Sequence, residues 1–350
     1  MSLERMTLAP HARRSTWSAL SLLVLDLALY AIAIAAIVWT DDIVLKLTFG
    51  VAAGAMISLL AILGHDAGHH SFSPNKLLNG VAGIIAFLPA LHPLGRWQHH
   101  HNRIHHRYTA QIGRDNAYPP MTVEDYRRAS PWARRRYRFL RSIWGQHFFY
   151  LVDVWAIDMF LPFLRRNADL KARDWFELVL VYAWLAAFLA MTTLAIMIVH
   201  DRQVTPAFAS AVVFCWAIPF LVWNVFIAFV SIVQHTAPHV RWTMPTGKPT
   251  SLADSLAGTV HILLPEWLDL MMQRVMKHPA HHVNVGIPLH RLKPAEAALE
   301  AATPLVLHAR WTPKYHLEMT RTCQLYDPRT HRWCTFADAE QADPDLARAA

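Results

Sequence analysis

The amino-acid sequence predicts an all-α integral membrane protein: four transmembrane helices in two hairpins, plus interfacial helices and a cytoplasmic helical cap that carries clustered histidines. Three observations point there. Hydrophobic residues make up 54% of the 350, more than an ordinary soluble domain contains. They collect in four long runs arranged as two close pairs. The basic residues behind the formal net charge of +8 gather outside those pairs.

Residues 17–39, WSALSLLVLDLALYAIAIAAIVW, hold one charge, Asp26. At about 1.5 Å per residue the run crosses a hydrocarbon layer of about 30 Å. A second span, 43–63, follows after a short turn, so the first is not a cleaved leader. The second hairpin pairs 175–199 with 206–233 across the polar link HDRQVT. Two weaker stretches lie between the hairpins. Residues 77–93 are broken by glycines and prolines, and 147–164 carry Asp153 and Asp158; both read as interfacial or re-entrant segments. The whole chain, 1–350, then forms a single membrane domain with cytoplasmic segments 64–174 and 234–350.

Orientation follows from the positive-inside rule. Arg5, Arg13 and Arg14 precede the first span, and Arg134, Arg135, Arg136, Arg138 and Arg141 lie between the hairpins, whereas the hairpin turns offer only Arg202. Both termini and the central segment therefore face the cytoplasm, as in a bacterial inner membrane. The basic face suits anionic lipid heads or an acidic protein partner. Beyond charge, nothing supports nucleic-acid binding. Cys323 and Cys334 fall on the cytoplasmic side, where a disulfide is not expected.

Thirteen of the 22 histidines fall in four short clusters: HDAGHH (65–70), QHHHNRIHH (98–106), QHTAPH (234–239) and HPAHH (278–282). By the topology above, all four lie at one membrane face. His65 and His69 are one helical turn apart, as are His101 and His105 with His106 beside them. His278, His281 and His282 combine i,i+3 with i,i+4. Neutral imidazole ligates iron, copper and zinc, and about nine rings are too many for one ion. Asp66, Asn102 and Asn284 are candidates to orient ligand rings, and Gly68 permits a close backbone approach. His92, His147, His200, His261 and His290 read as packing residues. Glu-x-x-His, HExxH, Walker A and GxSxG patterns are absent, which sets aside carboxylate-bridged di-iron bundles, zinc proteases, P-loop enzymes and α/β-hydrolases.

HDAGHHSF, HNRIHHRYT and HPAHHVNVGIPLHRL resemble, in order, the three histidine boxes of membrane fatty acid desaturases, and QHTAPHVRW is similar to the Gln-His-Thr stretch of bacterial acyl desaturases. TVEDYRRASPWARRRYRF resembles the linker after box two, so the likeness runs from about residue 45 to about 295. One departure stands out. The family's second box is HxxHH, but here Asn102 holds the first position and the histidine is His101, with His100 as its alternative. The resemblance implies a di-iron centre held by His65, His69, His101, His105, His106, His235, His278, His281 and His282. It also implies O2 as co-substrate and desaturation of a fatty acyl lipid. No fused donor domain is visible, so an external ferredoxin-like or cytochrome b5-like carrier would supply electrons. A hydroxylase or ketolase of the same superfamily, or a histidine-rich metal transporter, are the competing readings.

Overall fold

The computed structural model describes residues 3–165 and 169–341. Among them, four helices are long and apolar enough to cross a membrane: Thr16–Trp39, Ile43–Gly68, Ala172–His200 and Val204–His235. Each outruns the stretch that its sequence marks as apolar. The second continues through the polar residues Gly64–Gly68, because nothing in GHDAG breaks a helix, and its last turn carries His65. The protein packs as two compact units.

The unit of Arg14–Gln98 and Asp153–Ile227 contains most of the membrane-crossing length. Ser15 and Asp42 cap the first two spans with their side-chain oxygens. Gly50 and Gly54 form a small-xxx-small pair facing the fourth span. A Cβ on Gly54 would lie 2.5 Å from Val222 Cβ, so only glycine lets these helices touch at the backbone. At the far end from His65, Asp41 gathers Lys46, His200 and Arg202 into one knot, with Arg202 Nη2 donating over 2.7 Å. That knot ties the two hairpin turns together. Ile32, Leu194 and Ile198 stay exposed on the spans, as a lipid-facing surface requires. Lys76–Phe87 is a separate helix of 12 residues, roughly 18 Å long and too short to span.

The other unit, Met1–Arg13 with His99–Val152 and Ala228–Ala350, is built from short helices. It is not purely helical. Strand β1 (Val260–Leu263) pairs in parallel with β2 (Leu307–Arg310), and β3 (Leu325–Asp327) pairs antiparallel with β4 (Arg332–Cys334). Helix Leu292–Ala302 buries Leu292, Ala295, Glu296 and Leu299 as one stripe, against which helix His278–Val283 packs. The basic run is partly internal: Arg134 and Arg141 are buried, and the Arg141 guanidinium lies 3.9 Å over Tyr118. Arg135 and Arg136 remain exposed.

Candidate metal centre

Seven of the nine predicted ligands, all but His65 and His69, lie in the second of these units. Helix His278–Val283 presents His278 and His282 on one face, their Nε2 atoms 2.9 Å apart. His281 leaves in another direction. Its ring is perpendicular to that of His282 (88°), and its Nε2 lies 3.1 Å from that of His106.

His99–His105 is a π-helix, with hydrogen bonds running from i to i+5. The His106 amide donates to the His101 carbonyl over 2.9 Å. This turn corrects the expectation that His101 and His105 share a face. It brings His101 and His106 together, Nε2 to Nε2 3.1 Å, and sends His105 to a different group. An i,i+5 pair in a π turn thus takes the place of the i,i+4 pair of an α turn, which absorbs the extra residue in HNRIHH. His100 turns elsewhere, accepting from Asn116 Nδ2 over 3.2 Å.

His105, His235, His278 and His282 form one group, with ligand atoms all within 4.8 Å of one another. Successive Nε2 separations are 3.2 Å from His105 to His282, 2.9 Å from His282 to His278 and 2.9 Å from His278 to His235. The outer nitrogens decide what these contacts are. His105 Nδ1–H donates to Asp115 Oδ1 over 2.8 Å, and His235 Nδ1–H donates to the Gly258 carbonyl over 3.0 Å. Thr109 Oγ1 gives its hydrogen to the His105 carbonyl, so at 3.3 Å it accepts from His282 Nδ1–H. With those hydrogens on Nδ1, the neutral form of each of these three rings turns a bare Nε2 lone pair inward. His278 brings at most one hydrogen, which serves one of its two neighbours. Hydrogen bonds satisfy only one of the three short contacts.

A cation satisfies all of them. Four convergent imidazole nitrogens fit a transition-metal ion at a ligand distance of about 2.1 Å, and each outer N–H held by a carboxylate, carbonyl or hydroxyl is the usual support for a metal-binding ring. Burial first, and then the crowd of neighbouring imidazoles, holds His278 and His282 well below the ordinary histidine range, so both rings are neutral as ligands must be. Burial alone would raise the Asp115 carboxyl; contact with His105 and the backbone N–H of Ala117 brings it below its usual value, and it stays an acceptor. Asp115 lies outside every histidine motif and is invisible to spacing rules. Of the orienting residues that the sequence suggests, Asn284 caps its own turn by accepting from Gly286 N. Asp66 stands 3.7 Å from His65 Nδ1.

In the Arg14–Gln98 unit, His65 and His69 sit side by side, ring centroids 4.6 Å apart. The helix stops immediately after them. His70 takes the left-handed conformation at φ 59°, and the Ser71 amide donates back to the Asp66 carbonyl over 2.9 Å. Trp97 packs edge-on against both rings, at 5.3 and 5.4 Å. It also explains Gly68: a Cβ there would fall 2.2 Å from the indole. Gln98 Nε2 donates to the Gly68 carbonyl over 3.0 Å, fixing the same turn.

Residues 42–314 match the family model described as fatty acid desaturase. Among curated relatives, the "sn-1 oleoyl-lipid 12-desaturase" of Synechocystis sp. is 28% identical over 291 residues, covering 82% of this chain and 78% of that protein. The Anabaena variabilis protein of the same name is 26% identical over 320 residues, 90% of this chain and 85% of its own length. The chloroplastic "Omega-6 fatty acid desaturase" of Spinacia oleracea is 28% identical over 287 residues, 78% of this chain and 58% of its own.

Proposed function

The chain belongs to the fatty acid desaturase family and is an oxidoreductase, and we propose that it introduces a double bond into the acyl chain of a membrane lipid in an O2-dependent reaction. The observation that carries this reading is the convergence of lone pairs from His105, His235, His278 and His282, which their own hydrogens cannot satisfy. In this proposal those four hold one iron. His101, His106 and His281 hold a second, on the strength of their two Nε2 separations of 3.1 Å. His65 and His69, one helical turn apart in the first box, offer a further pair of ligand rings.

When bound, the iron pair would supply the O2 chemistry needed to remove two hydrogens from adjacent methylenes. The protein's own work is to hold and insulate. Asp115, the Gly258 carbonyl and Thr109 fix which nitrogen of each ring carries hydrogen. The buried surroundings of His278 and His282 keep water and protons away from the rings. Electrons come from an external acidic carrier of ferredoxin or cytochrome b5 type, for which Arg135 and Arg136 are exposed cations. Both termini and the centre lie on the cytoplasmic side, following the lysine and arginine distribution.

The test is the acyl-chain profile of a bacterial host expressing the chain together with a reduced ferredoxin. New acyl chains lighter by 2 Da support desaturation. A gain of one oxygen would instead assign hydroxylation. Unchanged lipids with metal flux across vesicles would favour transport and end the enzymatic reading.

A further inference from the structure

Helix Leu292–Ala302 buries one face, and that face reads Leu292, Ala295, Glu296, Leu299. A carboxyl group stands in the middle of an apolar stripe, 1% exposed. A leucine would fill the place without the cost of removing a carboxyl from water. What Glu296 gains is specific. Its Oε2 accepts the Ala280 N–H over 2.8 Å, while Oε1 has no hydrogen-bond partner and stands 3.7 Å from His261 Nδ1.

Ala280 lies between His278 and His281 in the first turn of helix His278–Val283. That turn has no side-chain cap from Lys277, and Pro279 has no N–H to offer. The Ala280 N–H is therefore a first-turn donor in a buried place, and Glu296 reaches it from another helix. Three histidines leave from this one turn toward two different groups, so a small rotation about the helix axis misaims all of them at once.

We infer that Glu296 is a positioning residue for the metal centre: by accepting the Ala280 N–H, it sets the rotation of the turn that carries His278, His281 and His282. Burial, against the pull of that N–H, pushes its carboxyl up to about 8, so the group acts largely as a neutral acceptor and its charge is dispensable. The inference rests on the metal reading above.

The full-length protein, purified in detergent and stripped of metal, is titrated with Co2+ while the ligand-field absorption of the bound ion is followed. Glu296→Gln keeps an acceptor oxygen at the same reach, and its Co2+ affinity and spectrum should stay within about twofold of wild type. Glu296→Asp keeps the carboxyl but withdraws it by one methylene, and Glu296→Leu removes the acceptor. Both should shift the absorption and weaken Co2+ binding by about 10- to 100-fold at unchanged helix content. Wild-type affinity and spectrum in the Asp or Leu variant would overturn the inference, as would a Gln variant as weak as they are. Should Glu296→Leu not fold, the Gln and Asp pair decides alone. A wild-type chain that takes up no Co2+ overturns the metal reading with it; uptake that ignores position 296 overturns only this inference.

Discussion

Two histidine groups in the same unit look alike by distance and differ in chemistry. His105, His235, His278 and His282 form one; His261, Glu300 and His308 form the other, brought together by the register of β1 against β2, which sets His261 beside His308. Both groups keep their ligand atoms within 4.8 Å of one another. In the second, every short contact has a hydrogen and an acceptor. His261 Nδ1–H and His308 Nε2–H both donate to Glu300 Oε1, over 2.7 and 2.8 Å, and Lys277 Nζ donates to His261 Nε2 over 3.4 Å. A cation on His261 Nδ1 would force a hydrogen onto Nε2, directly against the Lys277 ammonium. In the first group the lone pairs face one another. Proximity is common to both, so the placement of the hydrogens separates a ligand set from a salt-bridged network.

The sharpest way to break that distinction is to remove one member of each. His282→Ala or His105→Ala should abolish product and lower the iron bound per chain, measured by elemental analysis. Glu300→Ala should leave the iron content unchanged and cost only stability, about 1–3 kcal/mol for the orphaned His261 N–H. Loss of a metal equivalent in Glu300→Ala would place an ion in the second group and dissolve the contrast. Next in size is the π turn: His101→Ala should remove activity, whereas His100→Ala, which loses the contact to Asn116, should keep most of it. The reverse order would return the box-two ligand to His100. Asp115→Asn is smaller still. It faces an NH2 toward the Ala110 N–H that Asp115 Oδ2 now accepts, and metal affinity should fall about 10- to 100-fold. Unaltered affinity would mean that Asp115 does not orient His105.

These contrasts also mark where sequence reading succeeds. Long apolar runs need no particular partner, so all four spans are legible from composition, although their ends are not: the second runs on to Gly68 because polar residues alone do not stop a helix. Spacing alone picks out His278 and His282 as neighbours, since i,i+4 is a property of the helix itself. Spacing misplaces His101 and His105, because no residue in HHHNRIH announces a π turn. The Gly258 carbonyl and Asp115 are equally silent. One is backbone, and the other lies ten residues beyond its histidine in a loop. The strands VHIL and LHAR are too short for alternation to register, so the sequence shows only the helical part of the cap.

Glu296 stands between the two groups, one oxygen on Ala280 and the other 3.7 Å from His261, and its proton offers the finest test of how they differ. Burial raises its carboxyl from 4.5 to about 8; the Ala280 N–H opposes the rise, Glu300 adds to it and Lys277 opposes it. The unfolded chain loses this proton near the ordinary value, while the folded chain keeps it to about 8. Between those limits the folded state binds more protons, so this group's contribution is intact below the unfolded value and declines as pH rises toward the folded one. The slope reaches at most about 1.4 kcal/mol per pH unit. In metal-free protein, the thermal midpoint of wild type should therefore fall relative to Glu296→Gln between about pH 5 and pH 8. His261 and the ligand rings titrate in both proteins and cancel in the difference. Parallel curves would show that the carboxyl is ionised in the fold, drawn into the Lys277–His261–Glu300 network, and the two groups would then share one set of charges.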